Sequence, residues 1–370
     1  MKYRFFSSEE SFKKEHFFAK ILAFRKNRER SFFSHCVSEF LFSLFPESSL
    51  ALVSFFVFVI SLIMLIKSAD YFIEYAERFG FYLNIPYYII GITIVGIGTS
   101  LPELATSIVS VLKTTPQNDL TDIVTGNVVG SNIANILLGV GIASLFWTIK
   151  VERELQDNDL PFLFGSTALT VFFLSDAVLS RGEALILFIM FGVFLAFSVF
   201  DKSQQDDIRE EEKREKKLVK GQNPWVVGAF LVVSGAGIML ASDLTIGSLV
   251  ELSPTLGISR DVASMVLLAV GTSFPEIFVS IMAVKKKNPS LALGNILGSN
   301  ISNSLGILGI SGLFVPLSVS SNTLFVGVPF LVIATLFFIF SALDNRFRLW
   351  EGCMAIAIFL AFLGGIFGIL

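Results

Sequence analysis

Apolar runs long enough to cross a bilayer recur along almost the whole chain, at about 49–67, 85–112, 122–147, 160–176, 183–200, 225–248, 261–284, 290–316, 322–342 and 351–369. No other feature of the sequence limits the fold as tightly. In hydrocarbon every backbone N–H and C=O must be satisfied within its own helix or around a closed barrel, and runs of this length are helical. The pattern therefore predicts an all-α polytopic membrane protein with ten transmembrane helices. Several runs exceed the roughly 20 residues that a span needs, which predicts tilt or breaks. Composition agrees: 53% of the 370 residues are hydrophobic and 16% are charged, against about 25% charged in soluble domains. A disordered chain and an ordinary soluble enzyme are excluded, and no catalytic constellation or cofactor motif is present, so the protein is expected to be no enzyme and to need no cofactor.

The charges are unevenly placed. Residues 1–48 hold 15 of the 59, and residues 201–221 hold 14 more. This pattern divides the chain into an N-terminal extension (1–48), a first group of five helices (49–200), a charged linker (201–224) and a second group of five (225–370). Sixteen Lys and Arg, among them Lys67, Arg78, Lys150, Lys285 and Arg346, share the side of the linker, and only Lys113, Arg181 and Arg260 lie opposite. Positive residues mark the cytoplasmic side, so the linker is expected in the cytoplasm, with both ends of the helical core outside and the protein in the plasma (inner) membrane. The nine Lys and Arg of residues 1–48 oppose that rule. Three readings of this segment stand: a Phe-rich amphipathic piece on a membrane surface, a poor extra span at 31–46, or native translation that begins near 48–52. The segment has no clean apolar core of a signal peptide. Cys36 and Cys353 are expected to be isolated thiols.

The two groups of helices repeat one another. Gly98-Thr-Ser-Leu-Pro-Glu103 and Gly126-Asn-Val-Val-Gly-Ser-Asn-Ile-Ala-Asn135 in the first return as Gly271-Thr-Ser-Phe-Pro-Glu276 and Gly294-Asn-Ile-Leu-Gly-Ser-Asn-Ile-Ser-Asn303 in the second. Ser68-Ala-Asp70 parallels Ala241-Ser-Asp243, 33 residues before the glutamate in each case. Five spans separate equivalent positions. Five is odd, so the copies are expected to cross the membrane in opposite directions, as in secondary transporters that bind substrate where the repeats meet.

Glu103 and Glu276 are the acidic residues deep within apolar spans. A carboxylate there costs at least a few kcal/mol, no Lys or Arg of the same helix lies near, and a bound cation is the natural partner. Thr99, Ser100, Thr272 and Ser273 stand three or four residues before the glutamates and share a helix face with them. Pro102 and Pro275 clash with the carbonyls of Gly98 and Gly271, so each helix is expected to break and offer unwound carbonyls. Ser131 with Asn135, and Ser299 with Asn303, add neutral oxygens at i, i+4. Oxygen ligands without His or Cys suit Ca2+ or Na+ and disfavour zinc, copper or iron. Gly126-xxx-Gly130 and Gly294-xxx-Gly298 permit close helix approach. Asn127 and Asn295 are expected to be structural hydrogen-bonders, and Asp70 and Asp243 to lie near helix ends in structural or gating roles.

These paired motifs resemble the two alpha repeats of the cation/calcium exchanger superfamily, the sodium/calcium exchangers of prokaryotic type, over roughly residues 49–370. The resemblance implies ten helices in two inverted groups of five, and antiport of Ca2+ against Na+ by alternating access. It implies that Glu103 and Glu276 are shared ligands of both ions. Thr99, Ser100, Thr272 and Ser273 would line the sites, Ser131, Asn135, Ser299 and Asn303 would flank them, and Gly96 and Ala269 would offer backbone carbonyls. The first and sixth helices would be the moving element. One departure stands out: Asn303 occupies a position where well-characterised sodium/calcium exchangers carry Asp. Two formal negative charges then face the ions in place of three, which leaves the coupling ion open between Na+ and H+ and argues against K+ co-transport. A cation channel is the more distant alternative.

Overall fold

The computed structural model describes residues 47–83, 90–115, 119–151, 155–200, 223–252 and 270–368. The readings of residues 1–46 and 201–222, and the position of Ala269, lie outside these residues. Helix α1 is Glu47–Leu83. Helices α2 (Gly91–Thr99) and α3 (Leu101–Lys113) follow, then α4 (Thr121–Phe146). The first half closes with α5 (Leu160–Leu174) and α6 (Arg181–Phe200). The second half contains α7 (Pro224–Leu252), α8 (Phe274–Lys285) and α9 (289–314). It ends with α10 (Thr323–Leu343) and α11 (Leu349–Ile366). Among the described residues six of these helices are long and apolar enough to cross a membrane, and a seventh if α2 and α3, bent by 47°, count as one span.

The first apolar run extends further than its hydropathy suggests. Helix α1 does not end near residue 67 but continues to Leu83, because Leu65, Ala69, Phe72, Ile73 and Ala76 keep helical spacing and bury completely or nearly so. That stripe packs against α7. Phe72 lies against Gly235, Tyr75 stacks on Phe230 with ring centroids 4.9 Å apart, and Thr245 donates to Ser61 at 2.9 Å. Asp70 and Asp243 consequently sit inside long helices and not near their ends. Lys286, beyond the end of α8, pairs with Asp70 at 3.5 Å.

Burial separates centre from periphery. The α4 span is 83% buried, whereas those of α1 and α6 are each 22% buried. In α9 every residue from Leu291 to Ile301 is buried. These two central helices are the ones that carry the Gly-Asn-x-x-Gly-Ser-Asn segments.

Local conformations recur in both halves at an offset of 167 or 168 residues. Helix α4 widens to i→i+5 hydrogen bonding over Asn135–Val140, and α9 does so over Ser302–Ile307. The same widening at Leu155–Asp159 precedes α5 and at Thr323–Gly327 opens α10. Ala177 (φ 68°) and Asn345 (φ 60°) are both left-handed. Short strands β1 (Ile149–Lys150) and β4 (Arg346–Phe347) pair antiparallel, as do β2 (Val178–Leu179) and β3 (Leu317–Ser318). Ile149 faces Phe347 in the first ladder, and Leu179 faces Leu317 in the second. Each ladder therefore takes one strand from each half. Some residues even meet their own counterparts 168 positions away: Thr167 and Thr335 touch through their hydroxyls at 3.2 Å.

Candidate ion-binding site

The two glutamates occupy equivalent turns. Ser100 (φ −81°, ψ 6°) interrupts the helix before α3, and Ser273 (φ −82°, ψ −2°) does so before α8. Pro102 and Pro275 then stand in the first turns, where a missing N–H costs nothing. Glu103 and Glu276 follow, both 0% exposed. The break expected from the prolines is thus present, and it directs the first turn of each new helix inward. Favourable partial charge at a helix N-terminus suits a carboxylate there.

Close backbone approach brings the halves together. A Cβ at Gly298 of α9 would lie 2.2 Å from the Ile92 carbonyl oxygen of α2, so only glycine fits. The Ser299 hydroxyl consequently reaches the Gly96 carbonyl at 3.0 Å, and Thr99 also donates there at 3.3 Å. The Gly96 carbonyl is therefore already engaged. Thr99 further reaches Asn295 Oδ1 at 3.2 Å and Ser299 Oγ at 3.4 Å. Ser100 donates to Glu276 Oε1 at 3.0 Å. Asn295 braces the glutamate's own turn, giving its amide hydrogens to the Glu276 carbonyl at 3.0 Å and to Ser280 at 2.8 Å.

The other half is less complete. Thr272 donates to Asn127 Oδ1 at 3.2 Å and meets Ser131 Oγ at 3.1 Å, while Ser273 donates to the Ser131 carbonyl at 3.4 Å. Yet both carboxylate oxygens of Glu103, the hydroxyl of Ser107 and the amide nitrogen of Asn127 are buried without hydrogen-bond partners. Glu276 Oε2, both polar atoms of the Asn135 side chain and Asn303 Oδ1 are in the same condition. A buried polar atom without a partner costs about 1–3 kcal/mol. Six of these eight atoms are oxygens, three of them from two carboxylates that repel one another, and such a set suits a hard cation. Among the described residues no group of three or more His, Cys, Asp or Glu side chains converges, so the two glutamates act with neutral oxygens.

Eleven of the twelve residues expected at the site fall within the described residues, Ala269 being the exception. Hydrogen bonds or a shared helical turn link them across α2, α3, α4, α8 and α9. Asn127 and Asn295 are hydrogen-bonders, as their polarity suggested. Two pairs were overlooked. Ser107 and Ser280 lie one turn beyond the glutamates, and Asn132 and Asn300 bond one another's backbone across the halves at 3.2 and 3.1 Å. The second pair was visible in the sequence, since Gly-Ser-Asn-Ile-x-Asn holds an asparagine at that place in both copies.

Comparison with known proteins places this geometry. A family model described as sodium/calcium exchanger protein matches residues 53–200 and 226–368. The chain is 32% identical over 346 residues to the sodium/calcium exchanger MaX1 of Methanosarcina acetivorans, covering 84% of this chain and 97% of that one. It is 30% identical over 266 residues to the inner membrane protein YrbG of Escherichia coli, covering 70% and 79% respectively. A solved structure of the sodium-calcium exchanger NCX_Mj superposes with a TM-score of 0.70 at 28% identity, over 84% of this chain and 98% of that one.

Proposed function

The chain belongs to the sodium/calcium exchanger family, and from that premise we propose that it is a secondary active antiporter that moves Ca2+ against Na+ across the plasma membrane. The observation that carries this reading is the cluster of buried oxygens without partners around Glu103 and Glu276. A divalent ion there is neutralised by the two carboxylates. Thr99, Ser100, Thr272 and Ser273 line the site, and Ser131, Asn135, Ser299 and Asn303 flank it with neutral oxygens, while the Gly96 carbonyl is held by Ser299 and Thr99 in this state. Na+ entering the same oxygens displaces Ca2+, and competition for shared ligands couples the two fluxes.

In this reading the helical runs form ten spans, five in each half, with the halves inverted in the membrane. The strand ladders that join one half to the other support the arrangement. Lys150 and Arg346 face each other in the first ladder, which suits the cytoplasmic side on the same grounds as the charged linker. Residues 1–48, 49–200, 201–224 and 225–370 are then the extension, first repeat, linker and second repeat. Helices α1 and α7, packed on one another at the edge of the bundle, are the sliding element.

The test is Ca2+ uptake into inside-out vesicles. An imposed Na+ gradient should drive it, and an imposed proton gradient alone should not. Uptake driven by protons without Na+ would replace the coupling ion, and uncoupled Ca2+ current would replace antiport by a channel.

A further inference from the structure

We propose that Asn132 and Asn300 are positioning residues that orient the ligand amides of the opposite repeat, Asn132 holding Asn303 and Asn300 holding Asn135, with one of these contacts made at a time. The inference rests on the antiport reading above. Asn132 is completely satisfied: its amide nitrogen donates to the Asn300 carbonyl at 3.2 Å and to Ser304 Oγ at 2.8 Å, and its Oδ1 accepts from Asn303 Nδ2 at 3.0 Å. An amide whose nitrogen is held has its oxygen held as well. Asn303 Oδ1 is thereby fixed, buried and without a protein partner.

Asn300 is the counterpart of Asn132, and its amide nitrogen makes the matching bond to the Asn132 carbonyl at 3.1 Å. The matching contact to a ligand is not made. Asn300 Oδ1 has no donor, and both polar atoms of Asn135 are without partners, all of them buried. An acceptor and a donor on equivalent residues, each left unsatisfied, are the two ends of the bond that its repeat partner makes. Buried polar groups are seldom left unpaired in every state of a protein. The same imbalance recurs along the glutamate helices, where Asn295 binds Ser280 at 2.8 Å while Asn127 Nδ2 and Ser107 Oγ have no partner. Two repeats that exchange conformations between the open sides would exchange these bonds. The structure holds the Asn132–Asn303 contact, and the Asn300–Asn135 contact belongs to the opposite-facing state.

The experiment uses the full chain reconstituted in liposomes, with the KM for Ca2+ measured separately at each membrane face during Na+-driven exchange. Outer-shell partners of metal ligands are typically worth 10–100-fold in affinity. Asn132→Ala should raise KM about tenfold at one face with little change in maximal rate, and Asn300→Ala should do so at the opposite face. Asn132→Ser, which keeps a hydroxyl, should give a smaller shift at the same face as Asn132→Ala and serves where the alanine variant does not fold. Equal shifts at both faces, or a lowered thermal midpoint with KM unchanged, would overturn the positioning role and leave only packing. Absence of Na+-driven Ca2+ exchange in the unaltered chain would instead overturn the antiport reading itself.

Discussion

The half-site around Glu276 and the half-site around Glu103 are built from nearly the same residues and are not in the same condition. At Glu276, Ser100 holds one carboxylate oxygen and Asn295 holds the backbone of the turn. At Glu103, neither carboxylate oxygen has a partner, and Asn127 and Ser107 stand without the bonds that Asn295 and Ser280 make. A repeated sequence thus does not produce a symmetric site. In this state the Glu276 half is braced and the Glu103 half is not, and a protein that alternates between two open sides has reason to hold one of each.

The largest test of this difference removes the charges. Glu103→Gln and Glu276→Gln should each reduce Ca2+ exchange by at least about a hundredfold, beyond what outer-shell residues typically contribute. Their stabilities should diverge. In a buffer free of Na+ and Ca2+, Glu103→Gln should raise the thermal midpoint, because it relieves the repulsion between two buried carboxyl groups. Glu276→Gln should change it less, since Ser100 already serves that carboxylate. Equal midpoints would show that the two half-sites interconvert freely.

A smaller effect is expected from introducing charge on the flanking amides. Asn303→Asp replaces a donor that faces Asn132 Oδ1 by a second acceptor, at a cost of about 1–3 kcal/mol. Asn135→Asp disturbs no hydrogen bond in this state and should be tolerated better. Chemical or thermal unfolding of both variants in ion-free detergent solution measures the gap.

The braces themselves come next. Asn295→Ala abandons two donated bonds and the acceptor used by Thr99, a loss of roughly 2–3 kcal/mol. Asn127→Ala abandons only the bond accepted from Thr272, roughly 1 kcal/mol. Identical losses in unfolding measurements would remove the distinction.

The smallest effect lies at the membrane surface. The Thr121 hydroxyl and amide donate to Asp119 and hold its carboxyl below the usual aspartate range. A depressed value stabilises the fold above the ordinary aspartate pKa of about 4 and loses that contribution as the pH falls through the folded value. Asp119→Asn should therefore lower the thermal midpoint slightly near neutral pH, and the difference should fade in acid.

Much of this was legible beforehand. The prolines of the two Thr-Ser-x-Pro-Glu segments announced the helix breaks, because a missing N–H and a ring clash act locally. Glu103 and Glu276 were conspicuous because carboxylates in apolar runs demand compensation. The extent of α1 was not legible from hydropathy, since its last turns bury one stripe and expose the other. The engagement of the Gly96 carbonyl was equally hidden, because the hydroxyl of Ser299 arrives from about 200 residues away.

By itself, the sequence determined that the chain lives in a bilayer, that it is duplicated, and which oxygens are candidates for a cation. Those properties follow from local composition, backbone chemistry and counting. Only the tertiary structure decided which of those oxygens are already spent on hydrogen bonds, that each strand ladder joins the two halves, and that Asn132 and Asn300 meet between α4 and α9. Such pairings depend on backbones from opposite halves approaching within contact distance, and a repeat that reads the same twice carries no sign of which copy is braced.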